Sequence, residues 1–489
     1  MESRDNEKVK ERLKTKKMRN GGIFAFLSFF LLGNSCQAAA QALPSLATLP
    51  PFFGVLLSIA LCPLLVPAVW KKFDNWILAV WALFSVGLCE MSLGISPTIR
   101  MLSNIMIKDY VPFILLIVTM YVVSGGIHID IHRVGTTKIN TILFIVGEIL
   151  ANLMGTTGTS MLLLRPLLEI NKHRHYKAHT VIFFIFFVSN IGGCLLPFGD
   201  PPLFLGYLKG VQFFWTAKHI FPFFLLTSVL LLLFYIFLDK RFLAKERKIL
   251  HDEAETLELQ KGPAVEVTGS LNIFLMFVVV GFVAWTGTLP QKVVARIFGA
   301  PLFMSNLLQN GGLIGISLIS LLFSPKICGH SLRKINRFSW EPLSEVARYF
   351  VAIFITIAPI NAMLKGEHEF FQPVCHMLLH AEHAPFLYFW CVSPFSAFLD
   401  NAPTYLVFFK MAGGNAQYLM NEGARILMAI SASSVFMGAL TYIGNAPNFM
   451  VKSIATQYGV RMPSFFGYMA WSCSILLPIL LLVSFIFLY

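Results

Sequence analysis

Two aspartates stand in surroundings that give a charge no ordinary place. Asp200 lies in Gly193-Cys-Leu-Leu-Pro-Phe-Gly-Asp-Pro-Pro-Leu-Phe204 and Asp400 in Asp400-Asn-Ala-Pro403, each inside a long apolar stretch. An ionised carboxylate at the centre of a bilayer costs at least about 2.5–3.5 kcal/mol on insertion scales, so both positions ask for a compensating role. Both also carry the Gly or Pro residues that interrupt a membrane helix and free backbone carbonyls and amides. Carboxylates, hydroxyls and freed carbonyls together suit a small hard cation. Asp200 and Asp400 are therefore the expected anionic ligands.

Neutral oxygens accompany them. Gly155-Thr-Thr-Gly-Thr-Ser160 offers the hydroxyls of Thr156, Thr157, Thr159 and Ser160; Asn401 follows Asp400; Asn190 ends the helix before Asp200; and Asn445 stands in Gly444-Asn-Ala-Pro447. Ser433 and Ser434 can join this set, or simply let helices pack closely. Asp is also a favoured helix N-cap, so Asp200 and Asp400 can cap, bind, or do both. Glu148, within an apolar helix, is a candidate proton relay, and Asp130, near a helix end, is read as solvated. His173, His175 and His179, like His376, His380 and His383, are read as solvated loop histidines, because no Cys or carboxylate pattern completes a zinc site. No Gly-x-x-x-x-Gly-Lys-Ser/Thr signature is present, which leaves ATP-driven work by this chain unsupported.

The elements that must hold these groups are membrane helices. Of 489 residues 56% are apolar and 13% charged. Apolar runs long enough for a hydrocarbon core of about 30 Å recur at Pro51–Trp70, Asn75–Gly94, Tyr110–Gly126, His219–Asp239, Ser270–Thr288, Pro301–Ser324, Ala347–Leu364 and Phe466–Tyr489. The charge of +13 is spread over short connections rather than gathered on one domain, a topology signal and not a nucleic-acid footprint. The eight cysteines are scattered without a Cys-x-x-Cys pair and read as packing residues. Basic clusters at Lys71–Lys72, Arg133–Lys138, Lys172–Lys177, Lys240–Lys248 and Lys326–Arg337 mark the cytoplasmic side.

With those loops inside, residues from Ile139 must leave and rejoin the cytoplasm before Lys172, which predicts a re-entrant hairpin turning at Gly155. The stretch 178–215, interrupted at Leu196–Pro202, predicts a discontinuous helix. The second half repeats the layout, with a hairpin broken at Asp400–Pro403 and a crossing broken at Gly444–Pro447. Gly193–Phe204 aligns without gaps on Gly438–Phe449 with five of twelve positions identical, and the same offset of 245 residues places Gly155-Thr156 on Asp400-Asn401. The predicted fold is an all-α polytopic membrane protein of two inverted-topology repeats, each with a re-entrant hairpin and a discontinuous helix. Its parts are a basic N-terminus with signal peptide or anchor (1–42), a first repeat (51–239), a cytoplasmic linker (240–268) and a second, inverted repeat (269–489). Kinks alone are common in membrane helices, but matched breaks at one offset point to transport.

Ser189-Asn190-Ile-Gly-Gly193, Gly199-Asp200-Pro-Pro202, Asp400-Asn401-Ala-Pro403 and the Gly444-Asn445 break resemble the NhaD-type sodium/proton antiporters of the ion transporter superfamily, whose relatives include arsenite permeases and citrate or dicarboxylate carriers. The resemblance spans nearly the whole chain from Pro51. It implies electrogenic exchange of Na+ or Li+ for H+, an elevator-like moving domain built from the hairpins and broken helices, functional roles for Asn190, Asp200 and Asn401, and a homodimer. The sequence departs from that pattern at the first hairpin tip, where Gly155-Thr156 stands in place of an Asp-Asn pair.

The expected function is thus an Na+(Li+)/H+ antiporter with alternating access, Na+ and H+ competing for Asp200 while Asp400 completes the site. The alternative is an Na+- or H+-coupled carrier of an anion such as citrate, dicarboxylate or arsenite, held by helix amino termini. Two Asp residues and no Lys or Arg at the breaks favour the cation. No enzyme activity, cofactor or nucleic acid is expected; the partners are lipids and small ions. The expected location is the cell (inner) membrane, with a cytoplasmic N-terminus unless it is cleaved.

Overall fold

The computed structural model describes residues 43–249, 265–323, 326–327, 330–336, 338–366 and 368–489. The expected signal peptide or anchor (1–42) and residues 250–264 of the expected linker lie outside them. Backbone groups in hydrocarbon must be satisfied within the segment, and the apolar runs accordingly form helices. Eight stretches among the described residues are long and apolar enough to cross a membrane. The chain is an all-α polytopic membrane protein; among the described residues the only sheets are two-stranded ladders such as β1 (His128–Ile131) with β2 (Val265–Thr268).

Prolines set several boundaries. The expected crossing Pro51–Trp70 is shorter than read: α1 spans Leu49–Leu65, and Val66, at φ −136° and ψ 57°, precedes Pro67, which opens α2 (Pro67–Leu93). The residue before a proline is disfavoured in helical geometry, whereas proline suits the first helical position. Lys71 and Lys72 therefore lie on the first turns of α2. The expected segment from Tyr110 is the second half of a longer helix, α3 (Ile95–Ser124), which passes through a π turn at Met106–Tyr110. Pro112 lacks an N–H, and the wider turn absorbs the interruption just before it.

The run Thr137–Ile170 (α4) has 34 residues and as a straight helix would extend about 50 Å. Its ends instead lie side by side. Gly135 N–H donates to the Ile170 carbonyl at 2.7 Å, and Asn140 and Asn171 exchange side-chain hydrogen bonds at 3.0 and 2.9 Å. The chain reverses at Gly155, whose φ of 81° and ψ of 152° suit glycine alone. A second hairpin must be built from later residues; α5 (Ala178–Phe187) and α6 (Pro201–Leu208) come first, as two pieces separated by a loop.

α7 (Trp215–Ile249) continues past Lys240, and β2 occupies 265–268, so the described part of the expected linker 240–268 is mostly helix and strand. After α8 (Ser270–Thr286), the β3–β4 ladder (Val293–Ile297, Ala300–Phe303), α9 (Met304–Leu322) and α10 (Glu341–Lys365) comes the second hairpin. Its arms are α11 (Ala384–Leu399) and α12 (Asn401–Met411); they reverse at Asp400 (φ 78°, ψ 144°), with the Phe395 and Phe408 rings 5.6 Å apart. α13 (Ala424–Phe436) and α14 (Ala446–Gln457) form the second broken helix, and α15 (Phe465–Leu488) ends the chain.

Glycines let the broken segments close on themselves. A Cβ on Gly199 would lie 2.2 Å from the Gly193 carbonyl oxygen, and one on Gly444 would lie 2.6 Å from that of Gly438. These are two of the matched pairs in the twelve-residue alignment at the 245-residue offset, now with a steric reason for their identity. The helices form two groups: α1–α3 with α8–α10 as a framework, and the hairpins, broken helices, α7 and α15 as a second body. They meet chiefly where α3 packs on α4 and α10 packs on α12.

Candidate ion site where the helix breaks meet

Asp200 is the N-cap residue of α6, with extended backbone, yet its side chain makes no capping bond. The carboxylate is 1% exposed and its oxygens accept from three other elements. Thr156 Oγ1, at the start of the second arm of α4, donates to Oδ1 at 3.0 Å. Asn445 Nδ2, from the N-cap of α14, donates to Oδ1 at 3.2 Å, and Asn401 Nδ2, from the start of α12, donates to Oδ2. Both hairpin tips and the opposite broken helix thus converge on one carboxylate. Asp400 behaves differently: it is half-buried, and its Oδ1 accepts from Ala402 N–H at 3.4 Å, a long cap of its own helix.

The amide orientations are fixed by backbone carbonyls. Asn448 Nδ2 donates to the carbonyls of Gly438 and Thr441, both at 2.8 Å, so its Oδ1 must accept, and it does so from Asn190 Nδ2 at 2.8 Å. Asn190 Nδ2 also donates to the Ile185 carbonyl at 2.9 Å, leaving its Oδ1 to accept from Asn445 Nδ2 at 3.2 Å. Asn445 Nδ2 also lies 3.1 Å from the Ser189 carbonyl, so its two hydrogens are shared among three acceptors. The chain of amides therefore delivers N–H to Asp200 and cannot be reversed without facing oxygen against oxygen. Asn401, having turned its N–H to Asp200, leaves a buried Oδ1 with no hydrogen-bond partner. That is an acceptor in want of a donor or a cation.

A cavity of about 90 Å³ adjoins these groups. Thr156, Thr157, Asp200, Asp400, Asn401 and Asn445 line it on one side; α3 (Phe113 to Tyr121) and α10 (Leu343 to Phe350) close it with largely apolar side chains. No lysine or arginine is among its lining residues. Four helical segments begin at its wall, at Thr156, Pro201, Asn401 and Ala446, and their amino-terminal dipole ends face the carboxylate.

Other residues expected at the site stand apart from the cavity. Asn190 is fully buried behind Asp200 and orients Asn445. Ser160 pairs with Ser189 Oγ at 2.8 Å, while the buried hydroxyls of Thr159 and Ser434 have no partner and do not line the cavity. Glu148 turns away: Ser228 Oγ, on α7, donates to its Oε1 at 2.6 Å. His179 is not a solvated loop histidine but is 3% exposed and 2.7 Å from Asp239 Oδ1. Sequence reasoning passed over Asn448, although it lies one helical turn beyond Asn445, and Asn152, whose Oδ1 accepts from the Leu195 and Leu196 amides at 2.8 and 3.2 Å and braces the broken segment.

A multi-pass helical fold whose hairpin tips and helix breaks meet at a cavity holding a buried carboxylate has the build of a secondary transporter. The chain belongs to the family described as putative citrate transport, whose model matches residues 40–488, a member of the ion transporter superfamily. No curated protein matches it in sequence.

Proposed function

We propose that the protein exchanges Na+ or Li+ for H+ at Asp200. The observation that carries this reading is the pairing of Asp200 with the unpartnered Oδ1 of Asn401 beside a cavity without a cationic side chain. Two such acceptors, with Asp400 lining the same cavity, supply what a dehydrating monovalent cation needs. A cation and a proton competing for one carboxylate couple their movements. Alternating access follows if the hairpin body slides against the framework of α1–α3 and α8–α10.

A second reading, carriage of an anion such as citrate, is favoured by the four helix amino termini at the cavity and by the family description. Proton flux in inside-out vesicles separates the two. The antiport reading expects Na+ or Li+, but not citrate, to release a preformed proton gradient, and expects the apparent KM for Na+ to rise by up to about tenfold for each unit by which the pH is lowered, as protons compete. Release by citrate and not by Na+ would overturn it.

A further inference from the structure

We propose that Lys108, Lys209, Lys365 and Lys410 form a site for a multivalent anion at the seam between the two helix groups. They come from four elements: the π turn of α3, the residue after α6, the last residue of α10 and the last turn of α12. Asp109, 6% exposed, sits among them, with Lys209 Nζ 2.6 Å from its Oδ2. Lys108 interacts electrostatically with Asp109, Lys209 and Lys365, and Lys410 with Lys209, Lys365 and Asp109. Among the described residues, Asp109 is the one carboxylate within ion-pair distance of any of the four. Among the described residues, three positive charges are left over.

Free surface lysines would swing apart into water, but three of these are held. Lys108 lies half-buried over the Phe303 ring at 5.1 Å, Lys410 is half-buried with its stem near Gly414, and Lys209 is tied to Asp109. Convergent ammonium groups in a partly desolvated place repel one another, and a ligand with two or more phosphate or carboxylate groups removes that cost. Lysine meets such groups as a point charge, without the fixed geometry of arginine. Soluble polycarboxylates and anionic lipid headgroups share this chemistry.

The seam gives binding a consequence. Lys108 and Lys365 belong to the framework, whereas Lys209 and Lys410 belong to the hairpin body, so an anion touching both holds the bodies in the present arrangement. The inference does not depend on which ion the central cavity carries.

The test uses purified full-length protein in neutral detergent with citrate as probe, followed by thermal shift, and the same protein in nanodiscs of neutral or anionic phospholipid. Citrate, or failing that anionic lipid, is expected to raise the melting temperature of wild type and of Asp200→Asn alike. The apparent affinity should weaken roughly fivefold for each lysine removed in Lys365→Gln and Lys365→Gln/Lys410→Gln. Stabilisation by citrate assigns the site to soluble anions; stabilisation by anionic lipid alone assigns it to a headgroup. The single variant alters an exposed residue and keeps the test decisive if the double variant misfolds. Stabilisation unchanged in the lysine variants, stabilisation lost in Asp200→Asn, or none from either anion would overturn the proposal.

Discussion

Asn445 Nδ2 donates a hydrogen bond of 3.2 Å to Asp200 Oδ1 across a separation of 245 residues, the offset that relates the two halves of the chain. The two residues are each other's counterparts, and they touch. Their backbones agree: φ −146° and ψ 147° at Asp200, φ −150° and ψ 138° at Asn445. The hairpin tips agree as closely, with Gly155 at φ 81° and ψ 152° and Asp400 at φ 78° and ψ 144°. Backbone is matched while charge is not, so each pair contributes a single carboxylate.

Asp200→Asn keeps the shape of the side chain but places an amide N–H₂ among three donors. Sodium-driven proton release should fall to background, since an amide carries no exchangeable proton, and cation affinity should weaken by roughly 10- to 100-fold, since bonds to charged groups are worth about 1.5–3 kcal/mol. Vesicle flux checks this, with detergent melting to confirm that the variant folds.

Asn448→Ala leaves two carbonyls and Asn190 Nδ2 without one of their partners and releases the orientation of Asn445. The expected loss is about 1–3 kcal/mol of stability together with a raised KM for the transported ion. A melting curve and a substrate titration measure the two effects separately.

Asp400 occupies a backbone region that glycine alone enters freely, at a strain of about 1–3 kcal/mol. Asp400→Gly should therefore raise the melting temperature while weakening cation binding. Asp400→Ala should weaken binding equally but gain no stability, because the backbone stays strained. An Asp400→Gly protein that melts below wild type would contradict this account.

Gly199→Ala forces a methyl against the Gly193 carbonyl at 2.2 Å, backbone against backbone, and is expected to destabilise by about 3 kcal/mol or more. Gly87→Ala, in α2 with nothing within 4 Å, should be neutral or stabilise by up to about 1 kcal/mol. Yield of folded protein and melting temperature distinguish them.

The breaks were legible in the sequence because Gly, Pro and Asp are conspicuous in apolar surroundings, and the hairpin at Gly155 followed from basic residues on both flanks. The α1 boundary at Leu65 was missed because Val66 is apolar and hydropathy runs on through it; only Pro67 marks the stop. Direction was the harder property. Asn190 and Glu148 are as polar and as deep as Asp200, yet one stands behind the cavity and the other faces Ser228, and a linear pattern does not say which way a side chain points around a helix. Asn448 was overlooked for the opposite reason, since its importance lies in a hydrogen-bond chain that exists only once the broken helices cross.

The contact between Asp200 and its counterpart Asn445 has a consequence for the conformation this structure does not display. In a molecule whose halves can exchange roles, a wall supplied by one stretch must be replaced by that stretch's equivalent. The cavity now faces Phe113–Tyr121 of α3 and Pro342–Phe350 of α10. Under the offset their equivalents are Ala358–Gly366 and Pro97–Ile105, and Pro97 and Pro342 are themselves a matched pair. If the protein alternates as proposed, a thiol at Thr98 or Ala362 should then become reactive at the cavity wall only while the cycle is turning. On the proposed alternating-access reading, each half is thus a template for where the other goes next.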